Sequence, residues 1–103
     1  MRTIEDISSN KTIHIQGLKV RKGNFITCKS FDDDYWLMRY DGLINDDTIM
    51  SNIGCLSIDR DYPRHEYHTY NRNGVISIED IISCEMMNEL DKQLLLKEYE
   101  SIQ

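Results

Sequence analysis

The sequence predicts an α+β domain: a small, strongly bent antiparallel β-sheet with a C-terminal helix. Three observations carry that expectation. Period-two alternations of apolar and polar residues recur through the first half, each ended by a Gly, Asn or Asp cluster. Helical spacing of leucines is confined to the last stretch of the chain. The chain is 103 residues long, 40% hydrophobic and 29% charged, which suits one core and a single domain over 1–103.

Taken in order, residues 1–10 offer a short helix broken by SSN. From Thr12, Ile13 and Ile15 face one way and His14 and Gln16 the other, and Leu18 and Val20 resume the apolar face after Gly17. That is one strand or two short ones. RKGN is a turn, NFITCKS a second strand, and FDDDY a solvated loop. YWLMRY is rich in aromatic and long apolar side chains and reads as a central strand, with Trp36, Met38 and Tyr40 on its core face. DGLINDD places two turn signals around a short apolar pair, and GCLSID follows as a strand with Cys55 and Ser57 opposed to Leu56 and Ile58.

HEYHTY and VISI, separated by NRNG, read as two arms of a β-hairpin turning at Asn73-Gly74. The last third reads either as one helix from Ile78 to Ser101 or as a turn at SIEDI, a strand at ISCEM and a helix from about Met87. The β-branched isoleucines at 76–82 favour the divided reading. Met87, Leu90, Leu94 and Ile102 then mark the apolar side of the helix, for packing on the sheet or, as the alternative, for a homodimer seam.

Composition excludes several classes. No apolar run approaches the ~20 residues a bilayer span requires, so no membrane partner is expected. The N-terminus has no uninterrupted apolar stretch of the signal-peptide kind, and a cytoplasmic location is expected. Cys28, Cys55 and Cys84 are odd in number and set among apolar neighbours, which predicts reduced, partly buried thiols rather than a disulfide framework. The net charge of −6 is unevenly spread: residues 1–29 carry six Lys/Arg against two acids, residues 30–58 one against six, and residues 75–103 two against seven. Such a balance disfavours a general nucleic-acid binder, leaves a basic strip around Lys19, Arg21 and Lys22, and offers acidic faces to a basic partner.

The chemistry-bearing side chains concentrate in DRDYPRHEYHTYNRNG, residues 59–74. His65 and His68 have a spacing used by metal pairs, with Asp59, Asp61 and Glu66 nearby. On a strand, however, positions i and i+3 point to opposite faces, and no CxxC or HExxH accompanies them. The aspartates of 32–34 and 41–47 do not reproduce a calcium loop. Neither a metal nor a cofactor is expected. No nucleophile elbow and no glycine-rich phosphate loop is present, so no catalytic residue is assigned and the chain is read as a non-enzyme. The same segment does combine arginine with aromatic rings, the means of gripping a base or nucleotide. Arg60, Arg64, His65, Tyr67, His68, Tyr70 and Arg72 are therefore the candidate ligand or partner contacts.

The stretch VISIEDIISCEM, through Val75, Ile76, Ile78, Asp80, Ile81 and Ile82, resembles the closing strands of SH3-like or Sm-like small barrels in bacterial and phage YolD-type proteins. There, a strand, a short turn and a last strand close the barrel. The resemblance spans a dozen of the 103 residues, implies a barrel-like closure and says little about activity.

The functional expectation is a small acidic interaction protein whose partner is another protein. Its composition, rich in Ile, Asn and Asp and poor in Ala and Pro, suits a phage or mobile-element accessory protein that binds and inhibits a host or defence protein. The alternative is a nucleotide- or nucleic-acid-sequestering module using residues 59–74.

Overall fold

The computed structural model describes residues 12–31, 34–58 and 68–102. In chain order the strands are β1 (Ile13–Ile15), β2 (Leu18–Val20), β3 (Phe25–Ser30), β4 (Tyr35–Arg39), β5 (Leu43–Ile44), β6 (Thr48–Ser51), β7 (Cys55–Ile58), β8 (His68–Asn71), β9 (Gly74–Ser77) and β10 (Ile81–Met86). A 3-10 turn at Ile78–Asp80 joins the last two, and helix α1 (Glu89–Ile102) ends the chain. The class is α+β, as the residue patterns predict: antiparallel sheets and one C-terminal helix.

β1 and β2 form a hairpin in which Ile13 and Ile15 are buried and His14 is exposed. Its two-residue turn, Gln16-Gly17, has positive φ at both positions, the turn whose twist matches a two-stranded ribbon. The main sheet has the order β10-β3-β4-β7-β8, and YWLMRY supplies its central strand. Alternation along β4 separates two packed layers. Trp36, Met38 and Tyr40 join Ile26, Cys28 and Cys55 beneath the β1–β2 ribbon and the third sheet. Leu37, with Leu56 and Ile58 of β7, faces the other way and meets Leu95 of α1. Cys55 and Leu56 thus fall on opposite faces, as their alternation requires.

The third sheet, β5-β6-β9, is reached where the chain leaves β4. The amide of Asp41 donates to Met50 O (2.8 Å) and that of Met50 donates to Gly42 O (3.0 Å), so the strand continues into the second sheet. The Asp41 carboxylate pins this crossing. It accepts from Arg39 Nε at 2.7 Å and from the Asn52 amide at 2.6 Å.

The hairpin expected across NRNG does not form. β8 pairs with β7, and β9 pairs with β6 in the other sheet. The reason lies in Gly74: a Cβ there would come within 2.7 Å of Ser51 O and 2.8 Å of the Gly54 carbonyl carbon. The glycine serves the close crossing of two backbones rather than a two-residue turn. The amide of Asn73 donates to Asn71 Oδ1 at 2.9 Å, which bends the chain toward its new sheet.

The divided reading of the C-terminal third holds. Ile78–Asp80 is a single 3-10 turn, Ile81–Met86 is a strand opposite β3, and the helix starts at Glu89. Asn88 caps it by accepting from the Asp91 amide at 2.8 Å. Of the expected stripe, Met87 and Leu94 pack against the core on the sheet and Leu90 does not. Asp91 and Leu95 are buried, Leu94 and Tyr99 pack beside them, and Leu90 is 73% exposed. The helix is rotated by about one residue, roughly 100°, from the face that Leu90 would define. Lys92 extends over the Phe25 ring, its Nζ 4.7 Å from the centroid, and ties the helix to β3. Among the described residues the sheets do not close into a barrel; the main sheet ends at β10 on one side and β8 on the other.

Candidate protein-interaction edge

Of the seven residues singled out in 59–74, Arg60, Arg64, His65 and Tyr67 lie outside the described residues, as does the His65–His68 pairing considered for a metal. His68 opens β8, opposite Ile58. Tyr70 faces Leu56 across the same pair, packs with the helix-side core, and its hydroxyl donates to Ile53 O. Burial raises its phenol above the ordinary value, with the neighbouring Tyr99 adding to the effect. Tyr70 thus has a structural task at the β6–β7 turn. Arg72 is exposed in the corner that follows. Of the three that are described, His68 and Tyr70 sit two residues apart on β8 and Arg72 follows in the bend after it.

The structure brings other residues together along β10. This strand is the edge of the main sheet, and among the described residues no strand pairs with its outer side. At its first residue the ribbon reaches it, where Gln16 Nε2 donates to Ile81 O at 3.0 Å. Large exposed apolar side chains border both ends. Phe31 (66% exposed) follows Ser30, the residue opposite Ile81, and Ile82 (38%) is adjacent. Met86 (48%) closes the strand and Leu90 sits one turn beyond it. Four exposed acids punctuate the same path: Glu79 and Asp80 before the strand, Glu85 within it and Glu89 at the helix start. A row of backbone donors and acceptors, apolar side chains at its ends and acids before, within and after it form a surface of the kind that can receive an added strand.

Beneath this edge lies a thiol pair. Cys84 of β10 stands directly opposite Cys28 of β3, and Cys28 Sγ donates to Cys84 Sγ at 3.6 Å. The three cysteines are unbridged thiols, in line with the reading from their neighbours. That shared hydrogen bond, with burial adding to it, raises the Cys28 thiol far above its ordinary value, and it lowers Cys84 below its own against the opposing effects of burial and Glu85. Cys55, buried on the same face two strands away, is pushed up to about 12 by burial alone.

Sequence reasoning did not find the β10 edge. It gave ISCEM as a closing strand and residues 75–103 as strongly acidic, but which strand ends a sheet is a property of non-local pairing. No α-helix among the described residues is long and apolar enough to cross a membrane, and no cluster of three potential metal ligands occurs among them. Fold and edge together define a small α+β protein with an acidic, partly apolar sheet border. No protein-family model matches the chain, and no curated protein matches its sequence.

Proposed function

We propose that this chain is a protein-interaction module whose β10 edge receives an extended, basic segment of a partner protein. The observation that carries this reading is the coincidence of an unpaired strand edge, four exposed apolar side chains and four exposed acids on one path from Phe31 and Glu79 to Leu90. Main-chain hydrogen bonds would supply affinity, Ile82 and Met86 would seat alternate apolar side chains, and Glu79, Asp80, Glu85 and Glu89 would select lysine or arginine over acidic competitors.

The six residues of β10 span ~20 Å. A strand of that length buries less than the ~1,200 Å² typical of stable complexes, so the edge alone supports a transient contact. A second copy of the chain is a poor occupant, because it would bring acid against acid. Inhibition of a host or defence protein belongs to the same proposal and rests on composition. So does an SH3-like relationship, whose support is the order strand, 3-10 turn, strand over Gly74–Met86. Nucleotide capture draws less support, since the Tyr70 hydroxyl is engaged by Ile53.

The test uses a labelled peptide alternating lysine and valine and its glutamate–valine counterpart. The lysine peptide should bind with higher affinity and slow amide exchange across Ile82–Met86. The double variant Glu85→Lys, Met86→Lys should weaken it at least tenfold, about 1.4 kcal/mol. Equal binding of both peptides, or binding that the double variant leaves intact, would refute the proposal.

A further inference from the structure

The thiol pair carries an inference independent of the edge. We propose that Cys84 and Cys28 form a dithiol modification site that is oxidised by a small-molecule disulfide of the glutathione class to a cross-strand disulfide.

The geometry supports each step. Directly opposed residues of an antiparallel pair have Cα atoms roughly 4.5–5.5 Å apart, within the ~4.4–6.8 Å that disulfides span. The backbone therefore stays in place while the sulfurs close from 3.6 Å to bonding distance by side-chain rotation. Cys84 is half-buried on an edge strand, whereas Cys28 has no exposed surface, so only Cys84 meets an oxidant from solution. The hydrogen bond also runs the useful way, because Cys28 donates to the Cys84 sulfur and favours the thiolate there.

In the first step the Cys84 thiolate attacks one sulfur of the small disulfide RSSR. A mixed disulfide forms, and the expelled thiolate takes up the proton that Cys84 released to water. In the second step the Cys28 sulfur attacks Cys84 Sγ and surrenders its proton, and the second RSH departs. Two protein thiols are oxidised by two electrons and one RSSR is reduced to two RSH. Cys55 stands opposite Met38 rather than another cysteine and is buried, which makes it a bystander.

The chain carries its own reporter. Its single tryptophan, Trp36, stands directly opposite Cys28 on β4, and a disulfide quenches an adjacent indole.

The experiment treats the native full chain with oxidised glutathione and follows intact mass, peptide mapping and Trp36 fluorescence. The expected result is the loss of two hydrogens, a peptide cross-link joining Cys28 to Cys84, and fluorescence quenching reversed by dithiothreitol. Because the bridge joins residues 56 positions apart, Tm should rise by roughly 10 °C or more. Cys28→Ala should hold glutathione on Cys84 as a stable adduct, and Cys84→Ser should leave the folded chain unmodified. Cys55→Ala should behave as the parent. A parent chain that retains glutathione on Cys84 without resolving it, that stays unmodified, or that reacts first at Cys55 would overturn the proposal.

Discussion

Asp41 offers the sharpest test of how the two sheets are joined. Its side chain is almost wholly buried, accepts from Arg39 Nε at 2.7 Å and accepts from the Asn52 amide at 2.6 Å. Asp41→Asn keeps the shape and one acceptor oxygen but presents an NH2 group to one of the two donors. The Arg39 pair must be discounted for screening, because the arginine side chain is 30% exposed, and about 1 kcal/mol is reasonable for it. Turning a donor against a donor at the part-buried Asn52 amide adds ~1 kcal/mol or more. The expected loss is therefore about 2 kcal/mol, which for a domain of this size lowers Tm by roughly 10 °C.

Urea unfolding followed at Trp36 measures this directly, as a lower midpoint with an unchanged slope. A cycle with Arg39→Ala should return a coupling of about 1 kcal/mol, since Arg39 and Asp41 share one bond. An Asp41→Asn chain within ~0.5 kcal/mol of the parent, the range of ordinary surface substitutions, would refute the claim that this carboxylate pins the crossing.

Three further outcomes follow from the packing. Leu95→Ala should cost ~3 kcal/mol and Leu90→Ala less than ~0.5 kcal/mol by thermal melts, because the first is buried and the second exposed; similar losses would mean the helix is docked on another face. Gly54→Ala should leave little or no folded chain by circular dichroism, since φ is +84° and the new Cβ would lie against the Tyr70 hydroxyl and 2.7 Å from Asn71 O; a fully stable variant would contradict the crossing. The Cys55 thiol is raised from 9.0 to about 12, so the folded state holds that proton when the unfolded chain has lost it. Its stabilisation is complete below about pH 9 and falls as pH rises toward 12, by at most ~1.4 kcal/mol per pH unit. Melts from pH 8 to 10.5 should show Cys55→Ala with the shallower decline; parallel curves would remove Cys55 as the cause.

What the sequence disclosed tracks how local each determinant is. Alternation placed Ile13, Ile15, Trp36, Met38, Leu56 and Ile58 on their correct faces, because period-two spacing and burial are coupled within one strand. The cluster of β-branched isoleucines likewise divided the C-terminal third correctly. The NRNG hairpin failed because Asn-Gly scores the same whether the glycine turns a hairpin or lets two backbones approach. Only the non-local contact of Gly74 with Ser51 and Gly54 decides between them. Met87 and Leu94 pack on the core as the helical spacing predicts, and Leu90 departs from that face for a related reason. Leucine counting favours Leu90, whereas the observed orientation buries Asp91 one residue on, next to the Asn88 cap. The pairing of Cys28 with Cys84 was invisible for the same cause, since residues 56 apart in the chain meet only through the register of β3 and β10.

Under the proposed function, the β10 edge would both admit a partner strand and resist self-association. Unpaired strand borders are hazardous because any extended chain can add to them. Here the register shift between Ile81 and Ser83 bends the start of β10, and Gln16 occupies the carbonyl of Ile81, so that among the described residues the stretch from Ile82 to Met86 has no strand on its outer side. Glu85 within that stretch, with Glu79, Asp80 and Glu89 at its flanks, would on this proposal make a second copy of this edge electrostatically costly and a lysine-bearing strand favourable. Selectivity of this kind comes from the repulsive term as much as the attractive one. Salt should therefore weaken the lysine–valine peptide and relieve the penalty on its glutamate–valine counterpart, so that their affinities converge as ionic strength rises. A preference unchanged between low salt and ~1 M, where the screening length falls to about 3 Å, would place the discrimination in the apolar side chains instead.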